Sequence, residues 1–169
     1  MITCLDIRVG EISNVKPHPA AEKLYVEDIA IGGGVSRTVC SGLQEYMTAE
    51  ELAGPCLVVC NMKPRKMQGI ESQAMVLAAQ SADGKTVHLL QPPAGSAVGD
   101  AISFEDIAEG TAATPNQLNK GAGKKALEAI LSCGDLKTNG GCEATWRGHT
   151  MTTAKGVVKA ASLADCKIK

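Results

Sequence analysis

Aromatic side chains are what this chain has least of: one Trp, two Tyr and one Phe, 2% of 169 residues. Tyr25, Tyr46, Phe104 and Trp146 are too few and too scattered to make the row of stacking platforms on which a single-strand binder holds successive bases. Charge of either sign is not in excess. Lys+Arg is 17 and Asp+Glu is 18, a net charge of -1, which excludes a strongly basic nucleic-acid sponge, a polybasic membrane binder and an acidic tail. Long apolar runs are missing as well. The longest, residues 56–60 and 74–79, fall far short of the ~20 residues a bilayer needs, and Asp6 and Arg8 interrupt the N-terminal stretch, so neither a membrane span nor a secretion signal is expected.

Motifs of enzymes and metal sites are absent too. There is no Gly-x-Ser-x-Gly, no Walker loop and no His-Glu-x-x-His. Gly32-Gly33-Gly34 lacks the Lys-Ser/Thr of a phosphate loop and reads as a hairpin turn. No Cys-x-x-Cys occurs among the seven cysteines, whose odd number and irregular spacing suit reduced thiols in a cytoplasmic protein. His18, His88 and His149 are isolated from them and from one another, so no metal, no cofactor and no catalytic residue is expected.

What is present is ordinary globular material. The chain is 44% hydrophobic and 21% charged, enough to bury one core. Charge is unevenly spread. Residues 1–110 hold eight Lys+Arg against fourteen Asp+Glu, a balance of -6, and residues 111–169 hold nine against four, a balance of +5. Composition changes at GTAATPNQLNKGAG, residues 110–123, which reads as a linker or irregular crossing. We therefore expect two parts, 1–108 and 109–169.

The first part reads as strands. Residues 4–15 alternate in part, with Gly10 where a bent strand coils, and the prolines at 17 and 19 end it. Residues 24–31, the glycine turn and residues 36–41 make a hairpin. Thr48 and Glu51 stand at capping-box positions of a short helix. Short strands at 56–61, 73–79, 86–90 and 102–104, with frequent Gly and Pro between them, suggest a small Greek-key barrel. In the second part, Leu127, Ile130 and Leu131 predict a helix over 124–133 with Gly134 after it, followed by strands at 142–147, 150–154 and 157–161. A helix and three strands in some fifty residues are too little to fold alone, so this part should pack on the barrel.

One stretch carries the chemistry. Residues 61–75 read NMKPRKMQGIESQAM and contain Lys63, Arg65 and Lys66, three of the eight cations of an otherwise acidic part. Pro64 holds the backbone extended and Gly69 permits a turn. A fixed basic loop between strands is a phosphate clamp. Ser72 and Gln73 supply hydrogen bonds to sugar or phosphate, and Met75 a soft apolar contact.

The blocks LDIRVG (5–10), His18-Pro19, LYVE (24–27), RTVCSGL (37–43) and NMKPRKM (61–67) resemble the tRNA-binding domain of endothelial monocyte-activating polypeptide II type. SQAMVLAA (72–79), Pro92-Pro93-x-Gly95 and Gly99-Asp100 continue the likeness in order, and blocks at 118–120, 135–139, 142–148 and 155–157 carry it into that family's C-terminal extension. The resemblance implies a mainly β fold: an OB-fold Greek-key barrel with a small α+β extension packed on it. The extension imitates the dimer interface of a bacterial form, which implies a monomer. Relatives occur as appendages of methionyl- and tyrosyl-tRNA synthetases and at the end of a multi-synthetase cofactor. The implied function is noncatalytic binding of the outer corner of tRNA, without sequence reading, for an aminoacyl-tRNA synthetase in cis or in trans. The matching positions make Lys63, Arg65 and Lys66 phosphate contacts, add Ser72 and Met75, and include Arg37. Gln68 stands where many relatives have Arg. Lys120, Lys124 and Lys125 of the basic tail either extend the footprint or form a solvated helix face. The acidic barrel supports an alternative, a protein-interaction or cytokine-like signalling module with weak or lost RNA binding, although residues 8–14, RVGEISN, match the cytokine-active relatives only in part.

Overall fold

The computed structural model describes residues 2–169. After a 3-10 turn at Ile2–Cys4, β1 (Ile7–Pro17), β2 (Tyr25–Gly32) and β3 (Val35–Ser41) form an antiparallel meander. Helix α1 (Ala49–Leu52) begins at Thr48, whose hydroxyl accepts from the Glu51 N–H while the Glu51 carboxylate accepts from the Thr48 N–H, the capping box expected. Strand β4 (Gly54–Val59) then returns beside β1. A two-stranded hairpin follows, β5 (Arg65–Met67) and β6 (Ile70–Ser72), then β7 (Met75–Val76), β8 (Ala78–Gln80), β9 (Val87–Gln91) and β10 (Ser103–Phe104). Beyond these come α2 (Pro115–Leu118), α3 (Gly121–Ser132), β11 (Leu136–Thr138), β12 (Ala144–Trp146), β13 (His149–Thr153), β14 (Gly156–Val157), β15 (Lys159–Ala160) and β16 (Lys167–Ile168).

Two sheets share the work. The first runs β3-β2-β1-β4-β7, and the second β10-β13-β12-β11-β16-β8-β9-β15 with β14 beside β13. The late strands do not merely rest on the barrel. β16 pairs with β8, β15 with β9, and β13 with β10, so the extension continues the barrel's own hydrogen-bonded ladder.

The apolar run of residues 56–60 shows why. Cys56 and Val58 point into the barrel with Ile12, Ile29 and Val39, while Leu57 and Val59 point outward into a second core. That outer core is completed by the extension, through Ile130, Leu136, Trp146, Met151 and Ile168. A strand buried on both faces reads as a continuous apolar run rather than an alternation. β1 follows the same rule, with Ile7 and Val9 outward and Ile12 inward. Gly10 faces inward. A Cβ there would stand 2.8 Å from Ile29 Cγ2 and 3.1 Å from Cys56 Sγ. Gly10→Ala is therefore expected to lower stability by about 1–3 kcal/mol. Thermal unfolding followed by circular dichroism checks this, and an unchanged midpoint contradicts it.

Several stretches differ from their sequence reading, among them residues 157–161, which split at Val158 into β14 beside β13 and β15 beside β9. Residues 73–79 are not one strand: at Leu77 the chain passes from pairing with β4 to pairing with β9, turning a corner between sheets. Residues 110–123 are not simply a linker. Thr114 and Gln117 form a second capping box, with Pro115 in the first turn, and α2 places Leu118 in the outer core at 1% exposure. The helix predicted at 124–133 starts earlier, at Gly121, and ends with Gly134 at φ +78 as its C′ residue. Strands β11 and β16 carry no signal in the sequence, because two or three residues show no periodicity.

Candidate nucleic-acid interface

The basic stretch folds as a hairpin rather than a loop. Arg65 lies opposite Ser72, Lys66 opposite Glu71 and Met67 opposite Ile70. Its two-residue turn has Gln68 at φ 51 and Gly69 at φ 88, the left-handed pair that a type I′ turn demands. Glycine supplies the second freely, whereas Gln68 is held in a conformation that a side chain disfavours.

Asn61, Ser72, Gln73 and His18 fix the hairpin to the barrel. At its base, buried Asn61 accepts from the Asp6 N–H at 2.9 Å and donates to the carbonyls of Cys4 and Ala113 at 2.8 and 2.7 Å. Along β6, the Ser72 hydroxyl accepts from the Cys40 N–H at 3.0 Å, Gln73 Oε1 accepts from the Thr38 N–H at 2.9 Å, and the Gln73 N–H donates to the Thr38 carbonyl at 2.8 Å. Near the tip, His18 Nδ1 accepts from the Ala20 N–H at 3.0 Å, so Nε2 carries the proton and donates to the Met67 carbonyl at 2.9 Å. His18 is 5% exposed. Replacing it by Ala strands the Met67 carbonyl and the Ala20 N–H. His18→Ala is expected to speed hydrogen exchange across residues 65–72 while β1 to β4 keep their protection, and equal exchange in both proteins would contradict the anchor.

The seven residues singled out from sequence do not form one cluster. Lys63, Arg65, Ser72 and Met75 line a common groove between the hairpin and α3. Lys66 alternates to the opposite face of β5, beside Glu71. Gln73 and Arg37 also lie outside the groove, Gln73 bound to β3 and Arg37 half-buried on β3. Ser72 is buried, with its hydroxyl engaged by Cys40 and Ala74, so it holds the hairpin in place. Among the described residues no carboxylate comes within ion-pair distance of Lys63, Arg65, Lys66 or Arg37. Arg8, by contrast, is clamped by Asp6, with its Nη2 at 2.7 Å from the carboxylate. The hairpin cations are therefore exposed, unneutralised and preplaced, which is the electrostatic form of a polyanion clamp.

Residues missed from sequence complete the site. Met62 and Met67 enter the groove beside the hairpin cations, and Leu127 from α3, next to Lys124, which the sequence already offers. Lys124 shares its charge with Glu128, 3.8 Å away on the next turn. His18 and Asn61 act from behind. The sequence does carry a signal for the hairpin: Gln-Gly between two three-residue runs is a two-residue turn, weakened by a first residue that rarely adopts positive φ. All seven cysteines are free, and among the described residues no group of His, Cys, Asp or Glu is gathered as a metal site. No helix among them is long and apolar enough to cross a membrane.

A small β-barrel carrying an exposed basic hairpin defines a class of nucleic-acid-binding modules. The model of the family described as "Putative tRNA binding domain" matches residues 7–101, and the chain belongs to that family. The cytoplasmic methionine–tRNA ligase of Arabidopsis thaliana is 42% identical over 166 residues, covering 98% of this chain and 20% of the ligase. The aminoacyl tRNA synthase complex-interacting multifunctional protein 1 of Cricetulus griseus is 40% identical over 172 residues, covering 99% of this chain and 45% of that protein. The chain thus spans a fifth to under a half of these two relatives. The crystal structure of the C-terminal domain of Plasmodium vivax p43 superposes with a TM-score of 0.87 at 29% identity, covering 100% of this chain and 99% of that one. That likeness runs through the extension, and the mainly β, OB-type fold with a small helical part is the family's.

Proposed function

We propose that the chain is a noncatalytic module that binds tRNA by its folded shape and its phosphates and delivers it to an aminoacyl-tRNA synthetase, joined to it in cis or in trans. The observation that carries this reading is the hairpin: Lys63 and Arg65 aimed into one groove, Lys66 on the other face, none neutralised, all on a backbone anchored by Asn61, Ser72, Gln73 and His18. Phosphate contacts from a rigid scaffold position a folded RNA without reading its bases. Lys63, Arg65 and Lys66 are the phosphate contacts, Met75 an apolar one, and Arg37 a peripheral cation. Ser72 and Gln73 contribute by holding β6 against β3. Lys120, Lys124 and Lys125 add positive charge from the extension.

The same reading assigns 1–108 to the barrel and 109–169 to the extension. The extension covers the outward face of β1 and β4, an apolar surface that a second barrel would otherwise cover, and this supports a monomer with an internal pseudo-dimer interface. Similarity to a cytoplasmic ligase supports a cytoplasmic place of work.

The test is a titration of total tRNA at several salt concentrations. For Z phosphate contacts, log K falls against log salt with a slope of about -0.7Z to -0.9Z. Salt-dependent binding with Z of about 3 or more supports the module. Absence of binding at low salt overturns it.

A further inference from the structure

The groove between the hairpin and α3 is larger than a phosphate clamp requires. It encloses about 560 Å³, within the range of sites that hold small organic ligands. Its floor is apolar: Met62, Met67 and Met75 on the barrel side, Leu118, Leu127 and Leu131 on the extension side. Its lips are cationic, with Lys63 and Arg65 on the hairpin and Lys124 on α3, the last beside Glu128. Three of the chain's six methionines therefore meet at one place on the surface. All three are half-buried, and Met62 and Met75 also pack against the outer core.

The occupant is set by this combination. Thioethers are polarizable, adapt in shape and make favourable contacts with aromatic rings. Within an RNA strand a nucleotide presents an aromatic base on a ribose that is flanked by an anionic phosphate on either side. RNA recognition outside duplexes depends on bases turned out of the stack, normally held on aromatic side chains, and this chain has almost none of those. We infer that the groove takes one unstacked nucleotide of the bound RNA, its base lying against Met62, Met67 and Met75 and its flanking phosphates against Lys63, Arg65 and Lys124. The inference rests on the tRNA-binding reading and deepens it. The site gains a base-accepting floor, and the extension becomes one wall of it rather than only a cover for the barrel.

The methionines themselves are the probe. The full chain is labelled with 13C at the methionine methyls, assigned by single Met→Leu substitutions, and titrated with tRNA, with a short oligoadenylate and with an apolar peptide of similar length. Ring currents from an inserted base are expected to move the methyls of Met62, Met67 and Met75 with both RNAs. Met151, fully buried in the outer core, and Met47, away from the groove, hold still. Salt-sensitive tRNA binding with those three methyls unmoved overturns the nucleotide pocket and leaves the phosphate clamp intact. Movement with the peptide and not with either RNA makes the groove a peptide site and overturns the inference. No tRNA binding at any salt overturns both readings together.

Discussion

Lys63→Ala/Arg65→Ala/Lys66→Ala should weaken tRNA binding on the order of 10²–10³-fold, at about 1–1.5 kcal/mol for each solvent-exposed phosphate contact that is removed. The salt slope should flatten by roughly two to three units at the same time. The effect should not divide equally. Lys63 and Arg65 open onto the groove, while Lys66 stands on the other face of β5 with Glu71 as its cross-strand neighbour. The double variant Lys63→Ala/Arg65→Ala should therefore carry most of the weakening, and Lys66→Ala alone the least. The reverse ranking in a titration at fixed salt would mean that RNA approaches the other face of the hairpin. Thermal unfolding provides the control, because all three side chains are exposed and support no core packing.

Glu27 should make stability fall as pH rises. It faces the barrel interior beside Tyr25 and Ile29 on β2, 1% exposed, with its Oε1 accepting from the Ser41 hydroxyl and its Oε2 without a partner. Burial pushes its pKa up to about 8 from 4.5, against a smaller lowering by the Ser41 hydrogen bond. Between those values the unfolded chain is ionised at this position and the folded chain is not, so the folded state binds more protons and stability declines with rising pH. Below about 4.5 the effect vanishes, and above about 8 the whole cost remains. That cost is on the order of 5 kcal/mol, which for a domain of this size is roughly 10–20 °C in Tm. Glu27→Gln removes the charge at nearly constant shape. The two proteins should unfold at similar temperatures at pH 4.5, and the variant should be clearly more stable at pH 8.5. A constant difference across that range would contradict the assignment.

Much of this architecture is written in local signals. The Thr48 capping box and the glycine turn between β2 and β3 depend on neighbours a few residues away, and they read correctly. What escapes a sequence reading depends on distant partners. Strands β11 and β16 exist because β12 and β8 are there to pair with them. The corner at Leu77 exists because its N–H still bonds the Leu57 carbonyl of β4 while its carbonyl already accepts from Leu90 of β9, a partner distant in the chain. The site divides along the same line. Composition and order reveal the three cations of residues 63–66, but only the hairpin register shows that Lys66 is turned away from the other two. Leu127 and His18 join the site only through the folding of distant segments onto one another. The hydrogen bond from His18 to Met67 spans 49 residues, a separation that no spacing rule anticipates.

The location of the RNA interface is the central claim, and a photo-crosslinking side chain tests it most directly. Gln68 marks the hairpin tip and is exposed; Asp83, in the turn between β8 and β9, is an exposed position that no part of the groove includes. With a benzophenone side chain at each in turn, irradiation of the tRNA complex should give covalent tRNA adducts from position 68 and few or none from position 83. Adducts from position 83 with none from position 68 would place the RNA elsewhere and contradict the account.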